Sequence, residues 1–256
     1  MKKWMVLGFA LVILLAACSG GSQRIAEIKQ DGVLRVGVKV DVPFFGFINA
    51  QTGENEGFEI DLARAIAKSI LGDEAAVRFV PVTALTRETL LANNDIDIVI
   101  ATFTITEERK KTQSFSTPYY VDEIGFLVRK DSEIFELEDL KGKVMGATRS
   151  STAYNEFVQH PETLGGDFTL RSFASYPEMH SALLLGDIDV FATDKSIIYG
   201  YLSDATMLLT AGVNPQQYGI ATRLADKDLT KHIDNLLKEM TESGALDEIR
   251  TRWLQK

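Results

Sequence analysis

Cysteine is almost absent from this 256-residue chain: Cys18 is the only one. That excludes an internal disulfide and any metal cluster built on cysteine. The three histidines, His160, His180 and His232, fall at no short metal-ligand spacing, so zinc chemistry is not expected and no metal site is assigned. An excess of positive charge is missing as well, with 27 Lys plus Arg against 36 Asp plus Glu, a net charge of −9 and a pI near 5.0. The electrostatic footprint of a nucleic-acid binder is therefore absent. Glycine, at 19, and proline, at 6, are neither scarce nor abundant. With 45% hydrophobic and 25% charged residues, the composition is that of a folded protein with room for one large domain or two small ones.

The one long uncharged run stands at the start. Lys2 and Lys3 precede Trp4 to Ala17, fourteen residues without a charge, followed by Cys18, which is the layout of a secretory signal. Fourteen residues span a bilayer poorly. Leu15-Ala16-Ala17-Cys18 resembles a bacterial lipobox, in which Cys18 is lipidated and becomes the mature N-terminus; the other reading is a plain secreted protein with a leftover thiol. A diacylated cysteine carries two chains, enough for stable anchoring. Ser19-Gly20-Gly21-Ser22 reads as a flexible tether, so residues 1–17 are assigned to the signal and 18–24 to the lipidated cysteine and tether. Removal of 1–17 takes away two lysines and no acids, which leaves 239 residues with a net charge of −11.

Beyond Gln23 strand and helix patterns alternate. Leu34, Val36, Val38 and Val40 have the period of two that marks a strand. Phe58, Leu62, Ile66 and Ile70 recur every four residues through a helix that Gly72 ends. Ala76 to Val82 reads as a strand, Thr86 to Asn93 as a short helix, and the unbroken apolar stretch after Asp97 as a strand buried on both faces. Further strands are expected over 124–128 and 144–147, and helices over 152–159 and 177–185, the last with Pro177 in its first turn. Leu229, Ile233, Leu236, Leu237 and Met240 form a helical stripe closed by Gly244, and Leu246, Ile249 and Trp253 form another. This alternation predicts an α/β fold.

Asp95-Ile96-Asp97-Ile98-Val99-Ile100-Ala101-Thr102 is echoed by Asp187-Ile188-Asp189-Val190-Phe191-Ala192-Thr193, 92 positions later. The offset exceeds the period of solenoid repeats, so the echo reads as two similar α/β lobes or as chance likeness of two buried strands. With two lobes, ligands belong at the carboxyl ends of the strands. Those ends carry Lys39 and Asp41, Ala101 to Thr104, Arg149 to Thr152, and Asp194. No Ser-His-Asp or Cys-His set, Gly-rich phosphate loop or H-E-x-x-H occurs among them, which suits recognition more than catalysis.

Several of these residues have two readings. Thr106 caps a helix with Arg109 solvated in its first turn, or Thr104 and Arg109 converge on a carboxylate through the bidentate guanidinium. Ser150-Ser151-Thr152 caps a helix, or its backbone N–H groups attract an anion. Asp194 caps the helix through Ile197 and Tyr199, or it receives an ammonium group. An Arg, a helix N-terminus and an Asp together match the two charged ends of a free α-amino acid.

Glu56-Gly57-Phe58-Glu59-Ile60-Asp61-Leu62-Ala63, Asp97 to Arg109, Phe115-Ser116-Thr117-Pro118-Tyr119-Tyr120 and Asp194-Lys195-Ser196 resemble the polar amino-acid-binding proteins of bacterial ABC importers, in order and over essentially the whole mature chain. Within that family Val36 to Pro43, Thr86-Arg87 and Pro215 to Gly219 look closest to the aspartate- and glutamate-binding members. The resemblance implies a two-lobe hinged fold, each lobe a central sheet flanked by helices, with crossovers near Tyr120 and Gln217. Lobe 1 is assigned to 25–120 plus 218–256 and lobe 2 to 121–217. By the same analogy Arg109, Thr104 and Thr152 hold the α-carboxylate, Asp194 holds the α-ammonium, and Lys39 and Arg87 face the side chain. Thr102, Tyr176 and Tyr218 complete the site, the two tyrosines being open to a packing or hinge role.

Lys39 also reads as a solvent-facing strand residue and Arg87 as a surface helix residue. Two cations at the side-chain end favour a second carboxylate, whereas glutamine leaves that charge unpaired. Phe44-Phe45-Gly46-Phe47 supplies either an apolar wall or core, and Arg149 stands where related proteins often carry a small residue. The expectation is a lipid-anchored monomer outside the cytoplasm, without cofactor, that delivers aspartate or glutamate to an ABC permease in the membrane. Cysteine or cystine, or glutamine, are the alternative ligands. A small-molecule lyase on the same scaffold and a surface adhesin or sensory ectodomain are the other function classes.

Overall fold

The computed structural model describes residues 23–254, so the signal segment, Cys18 and most of the tether lie outside the described residues. The chain begins with α1 (Arg24–Asp31), β1 (Leu34–Val38), the short strands β2 (Asp41–Val42), β3 (Gly46–Ile48) and β4 (Asn55–Glu56), and α2 (Phe58–Leu71). β5 (Val77–Pro81), α3 (Arg87–Ala92), β6 (Ile98–Ile100), α4 (Glu107–Lys110) and β7 (Gln113–Phe115) follow. Next come β8 (Tyr120–Arg129), β9 (Val144–Thr148), α5 (Thr152–Gln159), β10 (Thr169–Phe173), α6 (Tyr176–Leu185), β11 (Val190–Asp194), α7 (Lys195–Tyr199), β12 (Thr206–Leu208) and β13 (Val213–Tyr218). β14 (Ala221–Arg223), α8 (Lys227–Ser243) and α9 (Ala245–Leu254) complete the order.

Two mixed sheets result, one in the order β5-β1-β6-β14-β7 and one in the order β10-β9-β11-β8-β12, with β13 also paired to β8. Helices flank both, so the fold is a two-lobe α/β fold of the periplasmic-binding-protein type. The expected elements are present. Phe58, Leu62, Ile66 and Ile70 of α2 are buried, and Gly72 at φ +79° donates its N–H to the Lys68 carbonyl, a left-handed cap that glycine adopts without a Cβ clash. The central β6 is buried along its length, as a continuous apolar run requires. Ser175 caps α6 at the Glu178 N–H, with Pro177 in the first turn.

The sequence echo has a structural cause. In the first sheet Asp97 donates its N–H to the Arg35 carbonyl at 2.8 Å, and its Oδ2 accepts the Arg35 N–H at 2.7 Å. In the second Asp189 does the same with Val144, at 2.8 and 2.9 Å. Each aspartate closes the start of the neighbouring parallel strand. Asp97 goes further: it is buried and also binds the guanidinium groups of Arg24 and Arg35. Burial works against its charge, but these bonds from Arg35 and Arg24 hold its carboxyl below the ordinary value.

Among the described residues no helix is long and apolar enough to cross a membrane. Asp97→Ala leaves Arg24 and Arg35 without their buried partner and is expected to cost about 3 kcal/mol. That amounts to a drop in melting temperature of roughly 6–12 °C. Because the folded-state value is depressed, the contribution is present at neutral pH and is lost as pH falls through it. Calorimetry at pH 7 and pH 3 checks both parts, and an unchanged melting temperature at pH 7 contradicts the assignment.

Candidate functional site

The chain passes between the lobes where β8 and β13 run antiparallel, with Tyr120 opposite Tyr218. Tyr119 donates its N–H to the Tyr218 carbonyl at 3.0 Å, and Thr104 bridges to Tyr218. Tyr120 stacks on Tyr218 with centroids 5.6 Å apart, and Phe45 meets both rings edge-on. Phe45 is thus core at the crossover. Gly46 permits the tight loop behind it, since a Cβ there would lie 2.7 Å from the Lys39 carbonyl oxygen.

The strand ends converge on the seam between the lobes. Lys39 follows β1, Thr102 and Thr104 follow β6, Arg109 lies in α4, Arg87 opens α3, Tyr176 opens α6, and Asp194 and Tyr218 end β11 and β13. All eight are buried. The solvated readings of Lys39, Arg87 and Arg109 therefore do not hold, and the short helices bearing the two arginines turn them inward. Thr106 does cap α4, accepting the Arg109 N–H, so that capping reading and a buried guanidinium coexist.

Each cation has local partners. Lys39 Nζ lies 2.8 Å from Asp41 Oδ1 and 4.8 Å from the Tyr176 ring centroid. Arg87 donates to the Ala101 carbonyl at 2.8 Å, and Arg109 to the Thr104 carbonyl at 2.7 Å. Both guanidinium groups sit on the Phe103 ring, at 3.9 and 4.5 Å from its centroid. Arg109 also reaches across the seam to the Ser150 carbonyl at 3.2 Å. Tyr201 Oη, from the second lobe, donates to the Asp41 carbonyl at 2.5 Å.

Asp194 does not cap α7 with its side chain; Asp122 takes the Ser196 N–H instead, at 2.9 Å. The Asp194 carboxylate accepts the Tyr218 hydroxyl at 2.5 Å and is left facing the seam. Burial and the neighbouring Asp122 push its pKa up to about 7. Burial lowers the pKa values of Lys39 and Arg87, and burial together with Arg87 pulls Arg109 down to about 9.

Three predicted residues sit differently from the rest. Thr152 is half-buried and donates its hydroxyl to Gln216 Oε1 at 2.6 Å. Arg149 is exposed and bonds Ser172, so it adds no third cation to the seam. Ser151 caps α5 through the Tyr154 N–H. A cleft of about 580 Å³ opens at the rim of the seam, and it touches Arg109, Ser150 and Thr152 but not Lys39, Arg87 or Asp194. The buried cluster, not this rim, brings Lys39, Arg87 and Asp194 together, and Arg109 borders both.

Sequence reasoning quoted Glu59 and Phe103 within its motifs but gave neither a role. Glu59 is fully buried, accepting the Thr102 N–H at 2.6 Å and the Tyr119 hydroxyl at 2.5 Å, and burial pushes its carboxyl up to about 7. A signal existed, because Glu59 lies in helical phase with Leu62, Ala63 and Ile66 on the buried stripe of α2. Among the described residues no cluster of three or more His, Cys, Asp or Glu is placed to hold a metal.

Residues 34–256 match the bacterial extracellular solute-binding proteins, family 3, and the chain belongs to that family. Its members bind solutes, so the chain is a binding protein and not an enzyme. It is 39% identical to the ABC transporter glutamine-binding protein GlnH of Bacillus subtilis, over 96% of this chain and 93% of that protein. It is 31% identical to the L-cystine-binding protein TcyJ of Escherichia coli, over 97% of this chain and 92% of that protein. The crystal structure of the cysteine-binding protein from Campylobacter jejuni superposes with a TM-score of 0.84 at 31% identity, covering 90% of this chain and 92% of that one.

Asp194 retains a proton at pH values where the unfolded chain has lost it, so the ligand-free fold is penalised as pH rises from the ordinary carboxyl range to about 7. Asp194→Asn removes that penalty. Its stability relative to the unsubstituted protein, read from melting temperatures, is expected to climb between pH 5 and pH 7, by at most about 1.4 kcal/mol per pH unit, and to level off above. A difference that stays flat across that range contradicts the placement.

Proposed function

We propose that this chain captures a polar, uncharged α-amino acid, glutamine foremost, outside the cytoplasm and delivers it to an ABC permease, held to the membrane by lipid on Cys18. Charge pairing in the seam carries the reading: Lys39 Nζ lies 2.8 Å from Asp41 Oδ1 and Arg109 Nε 3.6 Å from Glu88 Oε1, so two of the three buried cations already have a carboxylate beside them. That leaves less positive charge free for a second carboxylate on the ligand than the sequence implied. The expectation of aspartate or glutamate rested on Lys39 and Arg87 as two free cations, and Lys39 is already paired with Asp41 at 2.8 Å.

The two relatives described above support a neutral ligand as well, with glutamine for the Bacillus subtilis protein and cystine for that of Escherichia coli. Cystine is the second reading, since its two zwitterionic halves also sum to zero charge. Arg109 and Thr104, with Thr152 at the mouth of α5, take the α-carboxylate, and Asp194 takes the α-ammonium. Lys39, Arg87, Thr102 and Tyr176 surround the side chain, and Tyr218 orients Asp194. Residues 25–120 with 218–256 move as one lobe and 121–217 as the other, about the β8–β13 crossover. The ligand stabilises closure because it touches both lobes only when they are together.

The test is a thermal-shift screen of residues 23–256, unfolded and refolded to strip carried ligand, against the twenty amino acids and cystine. Ligand that binds only the native state raises the melting temperature, by about 2.7 kcal/mol of stability at a hundred times Kd. The largest rise is expected with glutamine; a larger rise with glutamate or aspartate restores the acidic reading, and no rise with any of them removes the function. Arg109→Ala and Asp194→Ala are each expected to weaken binding at least tenfold, from the loss of one charge-assisted hydrogen bond, about 1.5–3 kcal/mol. Unchanged affinity in both variants, with the fold intact by circular dichroism, sinks the site assignment.

A further inference from the structure

We propose that Glu59 is a positioning residue that ties the crossover between the lobes to the ligand-binding loop after β6, an inference that rests on the amino-acid-binding reading of the seam. One oxygen, Oε1, makes both bonds, accepting the Thr102 N–H at 2.6 Å and the Tyr119 hydroxyl at 2.5 Å. These two partners belong to the two parts of the molecule that a binding event must couple. Tyr119 stands immediately before β8, and its N–H is held by the Tyr218 carbonyl of the other crossing strand. Thr102 stands two residues after β6, in the loop whose carbonyls at 101 and 102 seat the Arg87 guanidinium at 2.8 and 3.5 Å.

The backbone at Thr102 needs such a tie. Its φ is +43°, in the left-handed region that a β-branched residue adopts only under constraint from its surroundings. The bond from its N–H to a fully buried carboxylate supplies that constraint and thereby sets where the 101 and 102 carbonyls point. Arg87 follows, because its bonds to those carbonyls and its seat on Phe103 fix the guanidinium. Glu59 itself stays in place because α2 is anchored by Phe58, Leu62, Ala63 and Ile66 in the core.

A carboxylate at this position is costly for stability, so packing alone does not account for it. Glu59 is 0% exposed, and its second oxygen, Oε2, has no hydrogen-bond partner among the described residues. Burial lifts its pKa to about 7 against the opposing pull of Tyr119, Thr102, Arg87 and Lys39. A residue kept only to fill the core would be apolar here.

The experiment separates geometry from charge. Glu59→Gln keeps an acceptor at Oε1 and removes the charge, whereas Glu59→Ala removes the acceptor; Tyr119→Phe removes one of its two bonds. Two readouts are taken at pH 7.5: affinity for glutamine by calorimetry, and amide exchange of Thr102 by NMR in the ligand-free protein. Expected are affinity within about threefold of the unsubstituted protein for Glu59→Gln, at least a tenfold loss for Glu59→Ala, and an intermediate loss for Tyr119→Phe. The Thr102 amide is expected to stay protected in Glu59→Gln and to exchange at least tenfold faster in Glu59→Ala. Melting temperature is expected to hold or rise in Glu59→Gln and to fall in Glu59→Ala, which empties a buried site and strands two donors, so affinity is read at a temperature where both variants are folded. Unchanged affinity and unchanged Thr102 exchange in Glu59→Ala overturn the proposal, as does a Glu59→Gln variant as weak as Glu59→Ala. If the unsubstituted protein binds no glutamine while the exchange pattern holds, the tie stands and the ligand assignment fails instead.

Discussion

Everything in this molecule is arranged around charge that has been taken out of water. Lys39, Arg87, Arg109, Glu59 and Asp194 lie buried where the two lobes meet, with Asp41 beside them. An isolated buried ion is prohibitively unfavourable, so each must be paired or hydrogen-bonded, or its pKa must move. The observed responses are all three. Lys39 pairs with Asp41, the arginines bond backbone carbonyls and cover Phe103, and Glu59 and Asp194 rise toward neutrality. A cluster held in this way keeps strong local fields in the seam.

The scaffold explains how such a cluster can be both rigid and divided. Each sheet is locked at the start of its parallel strands by an aspartate that exchanges two hydrogen bonds with its neighbour, Asp97 with Arg35 and Asp189 with Val144. Rigid sheets deliver their carboxyl ends to one seam. The β8–β13 pair, backed by Phe45, Tyr119, Tyr120 and Tyr218, is the only β-ladder among the described residues that lies where the chain passes from one lobe to the other. The Arg109 bond to the Ser150 carbonyl and the Tyr201 bond to the Asp41 carbonyl cross the seam between the lobes. Membership of the extracellular solute-binding proteins accords with this division of labour.

Most of the elements that were expected end within a residue or two of the observed ends, because their signals are local; β8 begins at Tyr120 rather than 124, and α1, β2 to β4, β7, β10 and β12 to β14 carried no expectation. Apolar period, Gly72 and Gly244 as stops and Pro177 as a start depend only on near neighbours in the chain. The strand-end rule also named Lys39, Thr102, Thr104 and Asp194, which the structure buries together at the seam. Arg149 shows where the same rule overreaches: it follows β9 yet turns outward to Ser172. Glu59 shows the opposite failure. It sits in a helix, away from any strand end, and its bonds to Thr102 and Tyr119 span 43 and 60 positions.

What the sequence determined by itself was the class of molecule: an acidic, disulfide-free α/β chain with two similar halves and the charged groups suited to both ends of an amino acid. Those properties are sums over local preferences and composition. Only the tertiary structure decided which of those charges are free. A lysine two residues from an aspartate reads identically whether the pair is joined or splayed, and the ligand preference turns on that difference. The pairing of Lys39 with Asp41 is set by the loop through Gly46 and by Tyr201 from the other lobe, contacts made between segments distant in sequence. Electrostatics in a buried seam depends on such distances and on the loss of water, and neither is written in the order of residues.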